Sequence, residues 1–327
     1  MASIYQNYML KQFLFQVACS FLLITLIPIF GFAQEGQEYD IFPKWKVGDV
    51  LKYKINKSQS SYLNDSLENE VKSDYIVNLS VLDSLNDGYR LKWSYKFNFK
   101  NLGILESFQD SIQDMDSLDL IYSTDIYGGF KGLENWQEVG NTIEKQIDKI
   151  RKIADKENPG STAINEEEFK AIMQLFKSKE MIEALAFREV GLLHSLYGSS
   201  YQVGIPQSRS EKKSFNSLPD NRIVINTKTW LESIDTSKQT ILIKQEASFD
   251  PESLNEFITT IKELAKAMDG EATDQELIGF NLMDSSNMVF DYQFGIFKRI
   301  EFNRVIESTS AEGSNKTNDL IIIEIIK

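Results

Sequence analysis

The feature of this 327-residue chain that most constrains its fold is a run of alternating residues on both sides of a turn signal. A two-residue period places alternate side chains on one face of a strand, and Asn86-Asp87-Gly88 supplies residues that tolerate the backbone of a tight turn. The pattern predicts a long antiparallel hairpin with an aromatic-rich buried face. The residues on that face are Tyr75, Val77, Leu79, Val81, Tyr89, Leu91, Trp93, Tyr95, Phe97 and Phe99.

Other segments predict strands near both ends of the chain and helices between them. Alternation predicts strands over about residues 49–126, 222–250 and 287–327, and helical spacing predicts a helical block over about 134–197 and a helix over about 251–268. No linker rich in Pro, Gly or Ser divides residues 34–327. We therefore expect a single α+β domain, a large curved antiparallel sheet or half-open barrel with helices packed on one face.

Two further segments are interpreted locally, one as a connection between strands and one as a single strand. The polar segment Ser58–Glu70 is interpreted as a connection. The stretch Met288–Phe302 keeps one apolar parity through Gly295, which indicates one long strand bent at glycine rather than a tight hairpin. Lys298, the charge on its apolar face, is expected near the rim of that face.

The first 33 residues have the layout of a signal peptide. Lys11 precedes a mostly apolar run from Phe13 to Phe32, and Gly31 and Ala33 occupy the −3 and −1 positions of a cleavage site. We expect cleavage after Ala33, export to the periplasm or extracellular space, and no stable membrane insertion afterwards. A retained membrane anchor is the alternative, because about 20 apolar residues can span a bilayer.

Composition excludes several classes of protein. Cys19 is the chain's one cysteine, and Gln16 stands where a lipid-attachment signal normally carries Leu, so lipidation is not expected. Cleavage after Ala33 would leave no thiol for disulfides or metal binding. With Lys11 removed from the 35 basic residues, 34 face 48 acidic ones, a net charge of −14. Such a charge repels nucleic acid, so no nucleic-acid partner is expected.

Few residues suggest catalysis. His194 is the chain's one histidine, so a zinc site of the usual type is excluded and no cofactor or metal is predicted. The acidic segment 106–119 lacks the glycine and terminal glutamate of a calcium loop and is interpreted as a solvated loop. A pair of carboxylates for hydrolysis stays open, because any two of 48 acidic residues could meet in the fold.

Three segments carry a resemblance to a known family: Phe42–Ile55 (FPKWKVGDVLKYKI), Tyr122–Val139 (YSTDIYGGFKGLENWQEV) and Leu192–Gly204 (LLHSLYGSSYQVG). They resemble an uncharacterised family of secreted β-rich proteins from Bacteroidota. In that family a glycine turn leads to an Asn-capped helix, and another helix ends in a His-x-x-Tyr-Gly-like corner. The family has no assigned activity, so the resemblance implies no chemistry.

The resemblance places candidate ligand-binding residues at two positions. These are the helix-to-strand corner with His194, Tyr197 and Tyr201, and the hairpin face with Trp93 and Tyr95. The leading hypothesis is an exported non-catalytic binding protein for an apolar small molecule or lipid held between sheet and helices. The alternatives are an envelope interaction or structural protein with an envelope partner and a fully packed core, and a carboxylate-based hydrolase.

Overall fold

The structure is a computed structural model that describes residues 38–96, 117–157, 178–179, 182–183, 188–215, 218–256, 259, 277–310 and 313–326. The predicted signal peptide and most of the acidic segment lie outside these residues. The strands are β1 (Glu38–Asp40), β2 (Val50–Leu63), β3 (Ser66–Leu85), β4 (Gly88–Lys96), β5 (Ser117–Asp125), β6 (Phe130–Leu133), β7 (Ser200–Gln202), β8 (Gln207–Phe215), β9 (Leu218–Asp235), β10 (Thr240–Phe249), β11 (Leu277–Asp291), β12 (Ile296–Ser310) and β13 (Gly313–Ile326). The helices are α1 (Trp136–Glu157) and α2 (Arg188–His194), and residues 251–256 form a short helical segment.

Eleven strands form one antiparallel sheet in the order β6-β5-β4-β3-β2-β13-β12-β11-β10-β9-β8. Strands that follow one another in the chain are neighbours throughout, except at the centre, where β2 pairs with β13. The sheet is thus two meanders joined along their first and last strands. Its ends are β6 and β8, and it does not close into a barrel. β1 and β7 form a separate two-stranded sheet.

The predicted α+β class is wrong, because the described residues are mostly β and the helices among them form no layer over the sheet. α1 has two buried apolar residues, Val139 and Ile143, among those described, and α2 is only seven residues long. Irregular segments cover much of the remaining core face, including Trp45 before β2 and Tyr197 after α2. No helix in the described ranges is long and apolar enough to cross a membrane.

The predicted hairpin is confirmed as β3 and β4. Leu79 pairs with Trp93 and Val77 with Tyr95, and residues 86–87 form the turn. The segment Ser58–Glu70, however, is not a connection. It continues β2 and β3 around a turn of its own, and it carries no apolar alternation because this end of both strands is exposed or half-exposed on both faces.

The stretch Met288–Phe302 forms a hairpin, so its interpretation as one bent strand is wrong. β11 ends at Asp291, whose carbonyl accepts the N–H of Gly295 at 2.8 Å and whose carboxylate accepts two further turn N–H groups. Gly295 has a φ of 66°, and a Cβ there would lie 2.5 Å from the backbone nitrogen of Lys44. Glycine is needed for this positive φ and close approach rather than for a bulge.

The bulge of this hairpin lies at Lys298. Val289 pairs with Arg299 and Phe290 with Phe297, which leaves Lys298 as the extra residue and shifts the buried parity of β12. Lys298 is half-exposed and pairs with Asp291 at 2.6 Å, as expected for a residue near the rim.

Asn135 shows how α1 is attached to the sheet. The helix begins directly after it, as the sequence predicts, but its side chain bonds the backbone of β5 instead of the first turn of the helix. Oδ1 accepts the N–H of Ile121 at 2.9 Å, and Nδ2 donates to the carbonyl of Asp119 at 2.9 Å. The start of α1 is therefore fixed against β5.

Candidate functional site: a charged layer in the core

The five predicted ligand-binding residues lie in the core, but they are spread over several elements. Trp93, His194, Tyr197 and Tyr201 are buried, and Tyr95 is half-buried. The rings of His194 and Tyr197 are 5.7 Å apart. Trp93 and Tyr95 lie on β4, and Tyr201 lies on β7.

The first of two distinct regions is an aromatic cluster at the turn end of the sheet. Its rings pack mostly edge to face or tilted, with centroids 5.0–6.0 Å apart, an arrangement that aromatic side chains favour. The cluster consists of Trp45, Tyr122, His194, Tyr197, Phe290 and Phe297. Two of the turns at this end, at Gly128 and Gly295, are bonded to it.

His194 is held in one tautomer inside this cluster. Nδ1 lies 2.7 Å from the carbonyl oxygen of Gly128, and Nε2 lies 2.9 Å from the hydroxyl of Tyr122. Since a carbonyl only accepts, Nδ1 carries the proton and Nε2 accepts from Tyr122. Burial lowers the pKa of His194 to about 4, against a smaller opposing effect of the Gly128 bond. The ring is neutral and fully bonded, which is the environment of a structural histidine.

Tyr197 has an equivalent role at the second turn. Its hydroxyl donates to the carbonyl of Gly295 at 3.0 Å, and burial raises its pKa well above the usual value. Trp45 differs, because its buried Nε1 has no hydrogen-bond partner in the described part of the chain. His194 and Tyr197, two of the three predicted residues at the helix corner, therefore each bind the backbone of a turn.

The second region is a charged layer on the same core face. Three of its residues are neighbours across three adjacent strands, with Arg304 on β12 between Asp284 on β11 and Asp319 on β13. Two more come from the start of α2 and one from β2. The layer consists of Lys57, Arg188, Glu189, Asp284, Arg304 and Asp319, three cations and three carboxylates.

Arg304 and Asp284 form the best-made pair of the layer. Nε of Arg304 donates to Oδ1 of Asp284 at 2.7 Å, and Nη2 donates to Oδ2 at 2.7 Å. Arg304 is only 1% exposed. Its guanidinium also lies 5.8 Å from the ring centre of Phe302. This bidentate geometry is the one in which arginine holds a carboxylate most strongly.

Glu189 is the buried carboxylate on the α2 side. It pairs with Lys57, whose ammonium also lies 5.6 Å from the ring centre of Tyr75. Burial raises the pKa of Glu189, but the Lys57 charge and hydrogen bond outweigh burial and hold that pKa below its usual value. Burial, and then the charge of Glu189, raise the pKa of Tyr75 well above its usual value. The phenol is therefore neutral beside an ionised carboxylate.

Arg188 is less well satisfied than Arg304. Nη1 lies 3.4 Å from Oδ2 of Asp319, which is long for a charge-assisted hydrogen bond. Nε and Nη2 are buried and have no hydrogen-bond partner among the residues that the structure describes. The guanidinium lies 5.2 Å from the ring centre of Phe302, on which Arg304 also packs. Two buried donors on one edge of Arg188 thus have no acceptor among the described residues.

Sequence reasoning missed this layer, although a signal was present. Lys57 continues the buried parity of Tyr53 and Ile55, and Arg304 continues that of Ile300 and Phe302. A cation in phase with a buried strand face indicates a paired internal charge. No group of three or more His, Cys, Asp or Glu suited to a metal ion occurs within the described residues.

No family model and no curated protein matches the chain. Among solved structures, the COG4313 outer membrane channel from Pseudomonas putida F1 is 7% identical, with 87% of this chain and 98% of that chain covered and a TM-score of 0.15. A protein of unknown function from the DUF3598 family of Nostoc punctiforme is 10% identical, with 84% and 95% covered and a TM-score of 0.11. Similarities this weak carry no argument, and the resemblance to the Bacteroidota family stays a prediction.

Proposed function

We propose that this is an exported, non-catalytic binding protein for an amphipathic ligand whose carboxylate head sits on Arg188. The apolar N-terminal run supports export to the periplasm or extracellular space. We assign the ligand site to the charged layer rather than to the predicted helix corner, because His194 and Tyr197 hold turns together there.

The observation that carries the proposal is the contrast between the two arginines. Arg304 uses Nε and Nη2 to hold both oxygens of Asp284. The same edge of Arg188 is buried without an acceptor in the described residues. An unmet buried donor costs about 1–3 kcal/mol, which a ligand carboxylate would recover through a similar fork. The layer itself holds three cations and three carboxylates, so a ligand carboxylate would add one negative charge to it.

The surroundings of Arg188 suit an apolar ligand body. Phe302 lies under its guanidinium, and Tyr75 and Tyr95 lie nearby on the core face with ring centroids 5.6 Å apart. Both tyrosines are only half-buried, whereas the aromatic cluster is closed. Apolar walls with a few placed polar groups are typical of small-molecule sites.

A fluorescent fatty acid tests the proposal directly. We expect cis-parinaric acid to bind the mature protein, and its methyl ester to bind at least about 10-fold more weakly, because a charge-assisted hydrogen bond contributes about 1.5–3 kcal/mol. Arg188→Gln should weaken the acid by a similar factor and leave the ester unchanged. Native mass spectrometry of protein purified from its own envelope should detect a bound carboxylate.

Arg299→Gln is the matched control, since Arg299 is a half-exposed arginine that pairs with Glu301 and Glu324. It should bind the acid as wild type does. Equal affinity for acid and ester, or no effect of Arg188→Gln, would contradict the carboxylate head. The absence of any probe or co-purifying molecule would contradict the binding function itself.

A second candidate, an interaction protein, is favoured by exposed apolar side chains near the turn end of the sheet. Phe294 is 58% exposed, and Ile126 and Tyr127 are also exposed beside the closed aromatic cluster. Phe294→Ser should leave fatty-acid binding intact. If the same variant abolishes a concentration-dependent association of the protein, measured by analytical ultracentrifugation, the interaction function gains support.

The hydrolase hypothesis gains no such support. The most deeply buried described carboxylates, on Glu189, Asp284 and Asp291, pair with Lys57, Arg304 and Lys298 respectively. For Glu189 the charge and hydrogen bond of Lys57 hold the pKa below its usual value, whereas a general acid needs a raised pKa.

A further inference from the structure

The outer face of the sheet carries a groove across strands β8–β12, behind the charged layer. Its volume is about 710 Å³. On β12, Asn303 and Val305 line it, whereas Arg304 between them is buried and does not. On β8–β11 the intervening residues Arg209, Thr227, Ala247 and Asp284 also contribute to its lining. Because successive side chains of a strand point to opposite faces, the groove lies on the face away from the core.

Two neighbouring cross-strand rows form the floor of this groove. Each row takes one residue from each of five strands, paired in register. The first row is Ser210, Asn226, Ser248, Met283 and Val305. The second row is Ser208, Lys228, Glu246, Ser285 and Asn303. Since paired strands lie about 4.8 Å apart, each row extends over about 19 Å.

The chemistry of the two rows is polar and electrically balanced. Six of the ten residues are serine or asparagine, whose hydroxyl and amide groups both donate and accept hydrogen bonds. Lys228 and Glu246 are register partners of opposite charge. Met283 and Val305 give the β12 end of the first row an apolar surface. The groove therefore offers hydrogen bonds in both directions, no net charge and one apolar patch.

A tryptophan lies beside the groove on the same face. Trp230 follows Lys228 by two positions on β9, so the two side chains share the outer face. The Lys228 ammonium lies 5.5 Å from the centre of the Trp230 ring. Nε1 of Trp230 donates to the Glu232 carboxylate at 2.6 Å. These contacts hold a half-buried aromatic ring next to the polar rows.

We propose that this groove binds a neutral oligosaccharide. A sugar ring has apolar C–H faces and a belt of hydroxyls that donate and accept, which matches the apolar patch, the tryptophan and the serine and asparagine rows. A lipid chain would bury those polar groups without partners, at a cost in free energy. A strongly charged ligand would be attracted by one member of the Lys228–Glu246 pair and repelled by the other. The volume falls within the range of about 300–1,000 Å³ usual for small-molecule sites.

Defined trisaccharides test this site. Maltotriose, cellotriose and chitotriose are each titrated into the mature protein and followed by saturation-transfer NMR and calorimetry. We expect at least one to bind and to be weakened at least about 10-fold by Asn226→Trp, which places a bulky ring in the first row. Ser285→Trp fills the second row and provides a second variant if the first does not fold.

Asn78→Trp is the matched control, because Asn78 is an exposed asparagine on the outer face of β3, away from the groove. It should bind as wild type does. Failure of all three sugars to bind, or binding that survives both groove variants, overturns the proposal. Binding of cis-parinaric acid should persist in the groove variants, so this result and that for Arg188 are independent.

Discussion

The aromatic cluster and the charged layer lie at opposite ends of one seven-residue helix, α2. At its last residue, His194 has a partner for each ring nitrogen. At its first residue, Arg188 has two buried nitrogens without a described partner. The two regions share one core face and one helix, yet the polar groups of His194 are fully bonded and those of Arg188 are not.

The difference in hydrogen bonding separates residues that hold the fold from residues that have unsatisfied hydrogen-bond donors. His194 and Tyr197 join the turns at Gly128 and Gly295, so their chemistry is fully used in structure. Arg188 keeps one edge of its guanidinium unused in the described chain. Burial alone therefore does not distinguish the two roles, whereas the hydrogen-bond inventory does.

The largest expected effect comes from breaking the charged layer at Arg304. Arg304→Met leaves the carboxylates of Asp284 and Asp319 without their central cation. We expect the free energy of unfolding to fall by about 3–5 kcal/mol, because an uncompensated buried charge is costly. Urea denaturation monitored by tryptophan fluorescence measures the change.

The double variant Arg304→Met with Asp284→Leu sharpens this result. Replacing both partners by apolar side chains should return stability to within about 1 kcal/mol of wild type or above it. A double variant as unstable as the single one would mean that the pair acts through shape rather than charge.

The next largest effect is a pH dependence of the aromatic cluster. Burial lowers the pKa of His194 to about 4 in the folded protein from its ordinary value of 6.5, a difference equivalent to about 3 kcal/mol. The unfolded chain takes up the proton first, so the stability is complete above pH 6.5, falls as pH drops towards 4, and levels off below. Urea midpoints between pH 7.5 and 4.5 measure the loss.

His194→Gln separates this contribution from that of the carboxylates, and it should flatten the curve between pH 6.5 and 5. The chain's single histidine also gives one assignable imidazole signal in NMR spectra. An imidazole that titrates near pH 6.5 in the folded protein would show that the ring is not buried as described.

A smaller effect is expected from Tyr197→Phe. The variant keeps the ring but leaves the Gly295 carbonyl without its 3.0 Å donor, at a cost of about 1–2 kcal/mol. Tyr53→Phe is the matched control, since its hydroxyl bond to the Phe297 carbonyl is longer, at 3.3 Å. A larger loss in the control than in Tyr197→Phe would contradict the role of Tyr197 in holding the turn. Hydrogen exchange at the turn reports the same order.

The smallest effect should follow Lys298→Met at the rim of the aromatic cluster. Lys298 is half-exposed, and Asp291 keeps its backbone donors without it. We expect a loss of at most about 1 kcal/mol in urea denaturation. Lys72→Met, at an exposed pair with Glu70, provides the baseline. A loss near that of Arg304→Met would show that the rim pair behaves as a buried one.

The sequence predicts the structure correctly in those parts of the molecule where hydrophobic alternation and turn residues indicate the same element. The β3–β4 hairpin is such a part, because Trp93 and its neighbours alternate up to the Asn-Asp-Gly turn. Segment Ser58–Glu70 was not predicted as strand because polar residues on both faces give no period. The fold class was wrong because helical spacing drew weight to segments 134–197 and 251–268, much of which lies outside the described residues and whose described helices form no layer over the sheet. Arg188 was missed because nothing in the sequence distinguishes a helical arginine in the core from a solvated one.

The pairing of β2 with β13 has a consequence for how the chain is made. Every other neighbouring pair in the large sheet joins strands that follow one another in the chain, so each meander can assemble as it emerges. The seam between them waits for β13, Gly313–Ile326, which begins about 250 residues after β2 ends. Truncation before β13 would leave two half-sheets, β2–β6 and β8–β12, without the strand that joins them.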